Sequence, residues 1–269
     1  MKIAITGANG FIGRRVIEQL IKEGHQIVAF ILPEELPHPL IESSIIVKTN
    51  IFSLEQGELN DYLSGCDVLL HLAWKSGFNH HASSHINDVL EHYHFIYKAV
   101  QANVPFISVA GTMHEIGYHV GPVNKNTPCN PINPYGIAKN FLRQAIADMA
   151  VKSNFHFQWL RFYYITGDDA FNNSIFSKIL DAEKRGEETF PLNSGEMLYD
   201  FIDVHELSTQ ISKRITSGEA GVFNCSSGKP VSLRTKVESF IKDNHLRIKP
   251  QYNVFPARAY DSMAIWGEQ

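Results

Sequence analysis

Two side chains in Tyr135-Gly-Ile-Ala-Lys139 have the types and spacing for acid–base chemistry. Four residues apart on a helix, they share one face a single turn apart. A cation within about 4–6 Å moves a neighbour's pKa by about 1–3 units, so the ammonium is expected to draw the phenol down from about 10. A phenol so tuned works as a general acid or base near neutral pH. Such a pair is common on helix surfaces, and its meaning depends on what accompanies it. The accompanying signal is Thr6-Gly7-Ala8-Asn9-Gly10-Phe11-Ile12-Gly13, three glycines three apart. A side chain at the first would block the bend. One at the second would keep the backbone from a phosphate, and one at the third would hold helix and strand apart. The N–H groups of the helix that opens there carry partial positive charge and suit an anion. Gly7, Gly10, Phe11, Ile12 and Gly13 are therefore candidate contacts of a dinucleotide pyrophosphate.

The elements that would position these groups alternate along the chain. A strand ends at Thr6, and Val16, Ile17, Leu20 and Ile21 repeat with helical period. A second strand, Gln26 to Ile31, completes a β-α-β unit. A carboxylate at that strand's end usually grips the ribose 2′-OH of NAD. Here the end reads Ile31-Leu32-Pro33, with Glu34 and Glu35 only later in a proline-bearing loop. Arg14 and Arg15 stand where they could meet a 2′-phosphate, or simply face solvent, and NADP(H) is expected ahead of NAD(H). A third strand from Ile45 leads to Asn50-Ile51, and Leu54 to Leu63 reads as a short helix. Asp67-Val-Leu-Leu-His71-Leu72-Ala73-Trp74 is a nearly continuous apolar strand of the kind buried in parallel sheets. Its small and aromatic carboxyl end lies where such sheets bind ligands. A long helix from Ser83 to Asn103, a strand from Pro105 to Val109 and a helix from Tyr135 to about Val151 follow.

The composition excludes several classes. The 269 residues can bury a large core, and a formal net charge of −4 offers nothing to nucleic acid or an anionic membrane. No apolar stretch is long enough for a membrane span, and the first apolar run is too short for a signal peptide. Cys66, Cys129 and Cys225 lack C-x-x-C spacing, which fits a reducing cytoplasm rather than a disulfide framework. His71 reads as a packed core histidine. His80, His81, His85, His92 and His94 read as solvated helix residues. No metal is expected, because no cysteine or carboxylate cluster and no H-E-x-x-H motif accompanies them.

Together, Thr6-Gly-x-x-Gly-x-x-Gly13 and Tyr135-x-x-x-Lys139 resemble the extended short-chain dehydrogenase/reductase family, also called the NAD-dependent epimerase/dehydratase family. The resemblance extends through most of the chain. Asn50-Ile51 is similar to the family's Asp-[Leu/Ile] beside the adenine, and Asp67 to Ala73 to its D-V-[VL]-[IL]-H-L-A strand. Asn87 matches an asparagine of the following helix. Thr112, five residues before Gly117, falls at the family's catalytic Ser/Thr. Trp159 to Gly167 resembles R-x-x-N-x-x-G with Tyr164 in place of Asn. Tyr199 to Glu206 and Phe223 to Gly228 resemble two later motifs.

This resemblance implies an α/β fold: a Rossmann-type doubly wound parallel sheet with a small C-terminal α/β lobe. Residues 1–165 would bind the dinucleotide, rejoined by a strand near 221–226, and residues 166–269 would mainly bind a nucleotide sugar. The implied catalytic set is Thr112, Tyr135 and Lys139. Implied cofactor contacts are Gly7, Gly10, Phe11, Ile12, Gly13, Arg14, Asn50, Ile51, Leu72, Ala73, Trp74, Asn87, Tyr135 and Lys139. Trp74, His114, Asn173 and Arg258 are implied substrate contacts, and relatives pair as homodimers through the helices beginning near Ser83 and Tyr135. The family's 4,6-dehydratases carry Asp-Glu where this chain has Met113-His114, so dehydration is not expected. The GDP-fucose synthase branch has cysteine at the position of His114. The segment from Gly111 to Gly117 and the compact chain resemble 4-ketoreductases of nucleotide-linked 6-deoxyhexoses. The expected reaction is reduction of a dTDP-4-keto-6-deoxyhexose. The alternatives are a nucleoside-diphosphate-sugar 4-epimerase and, in another class, a non-catalytic dinucleotide sensor.

Overall fold

The structure, a computed structural model, describes residues 1–167, 172, 174–258 and 260–268. The chain begins with β1 (Lys2–Thr6), α1 (Phe11–Lys22), β2 (Gln26–Ile31), β3 (Ile45–Lys48), α2 (Gln56–Leu63) and β4 (Val68–His71). Next come α3 (Ser84–Asn87), α4 (Val89–Gln101), β5 (Phe106–Thr112), β6 (Gly121–Val123), α5 (Pro134–Lys152), β7 (His156–Phe162) and β8 (Tyr164–Thr166). The remainder is α6 (Ile175–Lys184), β9 (Thr189–Pro191), β10 (Leu198–Asp203), α7 (Val204–Thr216), β11 (Gly221–Cys225), β12 (Pro230–Ser232), α8 (Leu233–Asp243), β13 (Lys249–Gln251) and β14 (Ala264–Gly267).

Seven parallel strands form the main sheet in the order β11-β7-β5-β4-β1-β2-β3. The sheet is the expected doubly wound α/β arrangement, covered on both faces. Ala4, Leu69, Ile107 and Trp159 point to one face, packed with Leu59 of α2, Phe95 and Ile96 of α4 and Leu142 and Ile146 of α5. Ile3, Ile5, Leu70 and Leu160 point to the other, against Ile17 and Leu20 of α1 and Leu207 and Ile211 of α7. Burial on both faces explains the uninterrupted apolar runs of β1 and β4. Each fully buried Ile or Leu contributes roughly 1.5–3 kcal/mol. Chain order reverses between β1 and β4, which opens a crevice at their carboxyl ends.

A second sheet, β12-β10-β14-β6 with β8 beside β10, is built mostly from the later chain. Its apolar cluster joins Phe176, Ile179, Tyr199, Val237 and Ile265 to Met113 and Ile116 from the segment after β5. That segment therefore links the two sheets. The expected long helix from Ser83 is divided at Asp88 into α3 and α4. Among the described residues, no helix is long and apolar enough to cross a membrane.

Candidate active site

The glycine turn sits against the end of β4. Gly7 has φ 67°, and a Cβ there would lie 2.8 Å from the Ala73 nitrogen. A Cβ at Gly13 would lie 2.2 Å from the Gly7 carbonyl oxygen. The Thr6 hydroxyl accepts the Ala73 N–H at 3.2 Å, and the Leu72 N–H donates to the Thr6 carbonyl at 3.3 Å. Gly10 caps α1 without a side chain, so the first N–H groups of the helix (Phe11, Ile12) meet no capping group and fit a pyrophosphate. At the end of β3, the Asn50 side chain accepts the Phe52 N–H at 3.2 Å, and Ile51 is buried.

Beyond β2 the loop turns back on itself. The Glu35 N–H donates to the Leu32 carbonyl at 3.1 Å, and the Glu35 carboxylate accepts the Leu32 N–H at 3.1 Å. A carboxylate therefore does stand at the mouth of β2, delivered by the turn from Leu32 to Glu35. Asn9 ties the same loop to the glycine turn, donating to the Leu36 carbonyl and accepting the His38 N–H.

Thr112, Tyr135 and Lys139 come together as their motifs imply. Asn133 caps α5 by accepting the Gly136 N–H at 2.9 Å, with Pro134 in the first helical position. A Cβ on Gly136 would lie 2.2 Å from the His114 carbonyl oxygen, so glycine lets the start of α5 abut the turn after β5. That contact brings the Tyr135 phenol to the Thr112 hydroxyl as a hydrogen-bond partner. Lys139, 3% exposed, donates to the Ala110 carbonyl at 2.8 Å and stands 3.8 Å over the Trp74 ring. Burial pushes the Tyr135 phenol up to about 12, moderated by Thr112, and pulls the Lys139 amine down to about 7. The expected depression of the phenol is thus not present here. The amine is spent on Ala110 and the indole, and it is only about half charged near neutral pH.

Trp74 is held from several sides. Its Nε1–H donates to His85 Nδ1 at 3.0 Å, and the opposite nitrogen of His85 lies 2.8 Å from the Asn79 carbonyl. His85 is therefore a neutral imidazole with its proton on Nε2. The indole stacks on His92 at 4.4 Å, and His92 Nδ1 lies 2.8 Å from Nε2 of His71, whose Nδ1 lies 2.8 Å from the Thr6 hydroxyl. Burial pulls His71 down to about 3 and His92 well below its ordinary range. The expectation of solvated helix histidines holds for His94; His81 is exposed but lies in a turn before α3, His80 is half-buried in the same loop, and His85 and His92 are buried. Among the described residues, no group of three or more histidine, cysteine or acidic side chains could hold a metal.

One part of the site escaped sequence reasoning. Glu115, fully buried, accepts from Trp159 Nε1 at 3.0 and 3.1 Å and from Arg161 Nε at 2.5 Å, with Arg143 Nε 3.5 Å away. Gly111 leaves room for that indole, because a Cβ there would meet Trp159 Nε1 at 2.1 Å. The charge cluster anchors the turn Met113–Glu115, which Thr112 caps by accepting the His114 N–H at 3.2 Å. An acid, an arginine and a tryptophan spaced over forty residues carry no local pattern that would reveal them.

His114 is half-buried, with its ring 3.9 Å from His80, 5.9 Å from Tyr135 and 6.4 Å from Tyr164. Tyr164 packs on Tyr199 at 4.2 Å, with burial pushing both phenols up. Arg258 lies by Tyr260, and its charge reaches His80 and His114. Asn87 is exposed at the end of α3 and has no hydrogen bond to Lys139 or Tyr135 among the described residues. Asn173 lies outside the described residues; its neighbour Asn172 donates to the Gly167 carbonyl at 3.1 Å.

Residues 3–226 match the model of the NAD dependent epimerase/dehydratase family. The chain belongs to that family. It is 58% identical, over 99% of both chains, to a dTDP-6-deoxy-L-talose 4-dehydrogenase (NAD(+)) of Aggregatibacter actinomycetemcomitans. The solved structure of MoeE5 in complex with UDP-glucuronic acid and NAD superposes with a TM-score of 0.84 at 23% identity, covering 100% of this chain and 90% of that one. A UDP-glucose-4-epimerase of Stenotrophomonas maltophila with bound NAD and formylated UDP-arabinopyranose gives 0.87 at 16%, with the same coverage. These two likenesses concern the fold.

The expectation of NADP(H) is overturned. The 58% identical relative is named for NAD(+), and both solved structures hold NAD. The site agrees physically. Arg14 is only 6% exposed, folded into the protein rather than held out for a 2′-phosphate, and Arg15 pairs with Glu18 at 2.9 Å. Glu35 occupies the mouth of β2, where a carboxylate repels a phosphate and accepts from a diol.

Proposed function

We propose that this enzyme uses NAD+ to oxidise the C4 hydroxyl of a dTDP-6-deoxyhexose, and in reverse acts as a 4-ketoreductase, with dTDP-6-deoxy-L-talose the foremost candidate. The observation carrying the choice is the 58% identity over 99% of both chains to an enzyme of that name. The cofactor supplies a hydride acceptor at its nicotinamide when bound. Thr112 and Tyr135 hydrogen-bond the same substrate oxygen, and Tyr135 takes its proton in oxidation and returns it in reduction. Two donors fixed before the reaction stabilise the developing alkoxide. Lys139 would hold the nicotinamide ribose, and its charge, when protonated, would favour the phenolate. Glu35 would accept from the adenosine ribose, and Gly7, Gly10 and Gly13 would hold the pyrophosphate.

Residues 1–165 with β11 bind the dinucleotide, and the later residues mainly bind the sugar nucleotide, with Arg258 taking its phosphates. A homodimer is supported by exposed apolar residues on neighbouring helices: Leu90 and Tyr97 on α4, Ile137 and Phe141 on α5. Three free cysteines suit the cytoplasm. The test is NADH formation by the purified protein given NAD+ and dTDP-6-deoxy-L-talose. Formation of a 4-keto product supports the proposal. Tightly held NAD with interconversion of 4-epimers and no net NADH refutes it.

A further inference from the structure

The loop between β4 and α3 places a side chain over the reacting groups that no motif of the chain includes. His80 lies nearly parallel to the Tyr135 ring, 5.5 Å away at 11°, and 3.9 Å from the His114 ring. Its carbonyl accepts the Tyr135 N–H at 3.1 Å, so loop and helix α5 are joined at this point. Tyr260, from the C-terminal segment, closes over the same loop, 6.1 Å from His80 and 5.3 Å from His81. His80 Nδ1 is buried without a hydrogen-bond partner among the described residues. An orphaned buried polar atom is unfavourable unless a ligand meets it.

We propose that His80 is a sugar-contacting residue: its unpartnered Nδ1, held beside Tyr135 and His114, hydrogen-bonds a hexose hydroxyl next to the reacting carbon. This rests on the sugar-nucleotide reading above and adds a specificity residue to it. A neutral hydroxyl is the right chemical class. Burial and the Arg258 charge pull His80 down to about 4, with His85 and His81 adding in the same direction. The ring is therefore uncharged near neutral pH, and a neutral imidazole nitrogen suits a hydroxyl, which both donates and accepts, better than a phosphate. Arg258 is the better partner for phosphate.

The test compares the wild type with His80→Phe, which keeps a flat ring on Tyr135 without nitrogens, and His80→Asn, which keeps a hydrogen-bonding group without the ring. Steady-state oxidation of dTDP-6-deoxy-L-talose is measured beside calorimetric affinities for NAD+ and for dTDP alone. Loss of the bond lowers kcat/KM about tenfold in His80→Phe and less in His80→Asn, with NAD+ and dTDP affinities held within about twofold. Unchanged kcat/KM in both variants overturns the assignment. So does a loss of dTDP or NAD+ affinity in step with kcat/KM, because the ring would then serve the phosphates or merely hold the loop. A wild type that oxidises no nucleotide sugar sinks the underlying reading and this assignment with it. An active wild type with insensitive variants sinks the assignment alone.

Discussion

Replacing Glu115 by Gln tests whether the buried charge cluster holds the active-site turn. Glu115 is fully buried and Arg161 is 1% exposed, and they are joined at 2.5 Å. Glutamine keeps an acceptor for Trp159 but leaves the guanidinium without its counter-charge. Removing one partner of a buried pair destabilises by about 3–5 kcal/mol. With unfolding entropy of about 2.1 cal/mol/K per residue, a chain of 269 residues should lose roughly 5–9 °C in Tm. Thr112 lies three residues before Glu115 and caps the same turn, so a shift of about 1 Å there lowers turnover by about a hundredfold. Calorimetric Tm and kcat/KM for alcohol oxidation are the readouts. Glu115→Met with Arg161→Met provides the cycle: the pair should cost less than the sum of the singles by about 0.5–3 kcal/mol. Additive losses, or a Glu115→Gln variant with unchanged Tm and turnover, would refute the anchoring role.

Other consequences follow from the same geometry. Tyr135→Phe should lower turnover by about 10²–10⁴ while calorimetry shows NAD+ affinity unchanged, and Thr112→Val by about 10²–10³. Gly136→Ala should inactivate the enzyme, since its Cβ would lie 2.2 Å from a backbone oxygen; activity near the wild type would show that α5 can move off the turn. Because burial holds the Tyr135 phenol near 12, oxidation should speed up as pH rises through neutrality, whereas a flat profile of kcat/KM would mean another base. Lys139→Met should abolish activity yet stabilise the fold at neutral pH. The amine is pulled from 10.5 to about 7, so the unfolded chain binds more protons between those values and wild-type stability rises with pH across that window. Denaturant titrations at several pH values should find that rise, worth roughly 5 kcal/mol, missing from the variant.

Most of the parallel sheet was legible because strands buried on both faces write continuous apolar runs, as in Val68 to His71. The glycine turn was legible because close backbone approach excludes side chains at Gly7 and Gly13. The cofactor's identity was misread at Glu35. Its carboxylate reaches the end of β2 through a local turn from Leu32 to Glu35 with Pro33 in second place, which folds back the residues that read as an open loop. The histidines were misread because helical spacing does not show which residues are buried: His85 accepts the Trp74 indole N–H and His92 stacks on the same ring. Glu115 gave no signal, since its partners lie on β7 and α5.

Burial also sets the resting state of the candidate catalytic pair. With the phenol near 12 and the amine near 7, the phenol is uncharged and the amine about half charged at pH 7. A protonated phenol is ready to donate to a ketone oxygen and reluctant to accept from an alcohol. Oxidation therefore needs additional positive charge beside Tyr135, which a protonated Lys139 would supply. Lys139 is parked on the Ala110 carbonyl and the Trp74 face, and the ribose it would hold competes with that resting place.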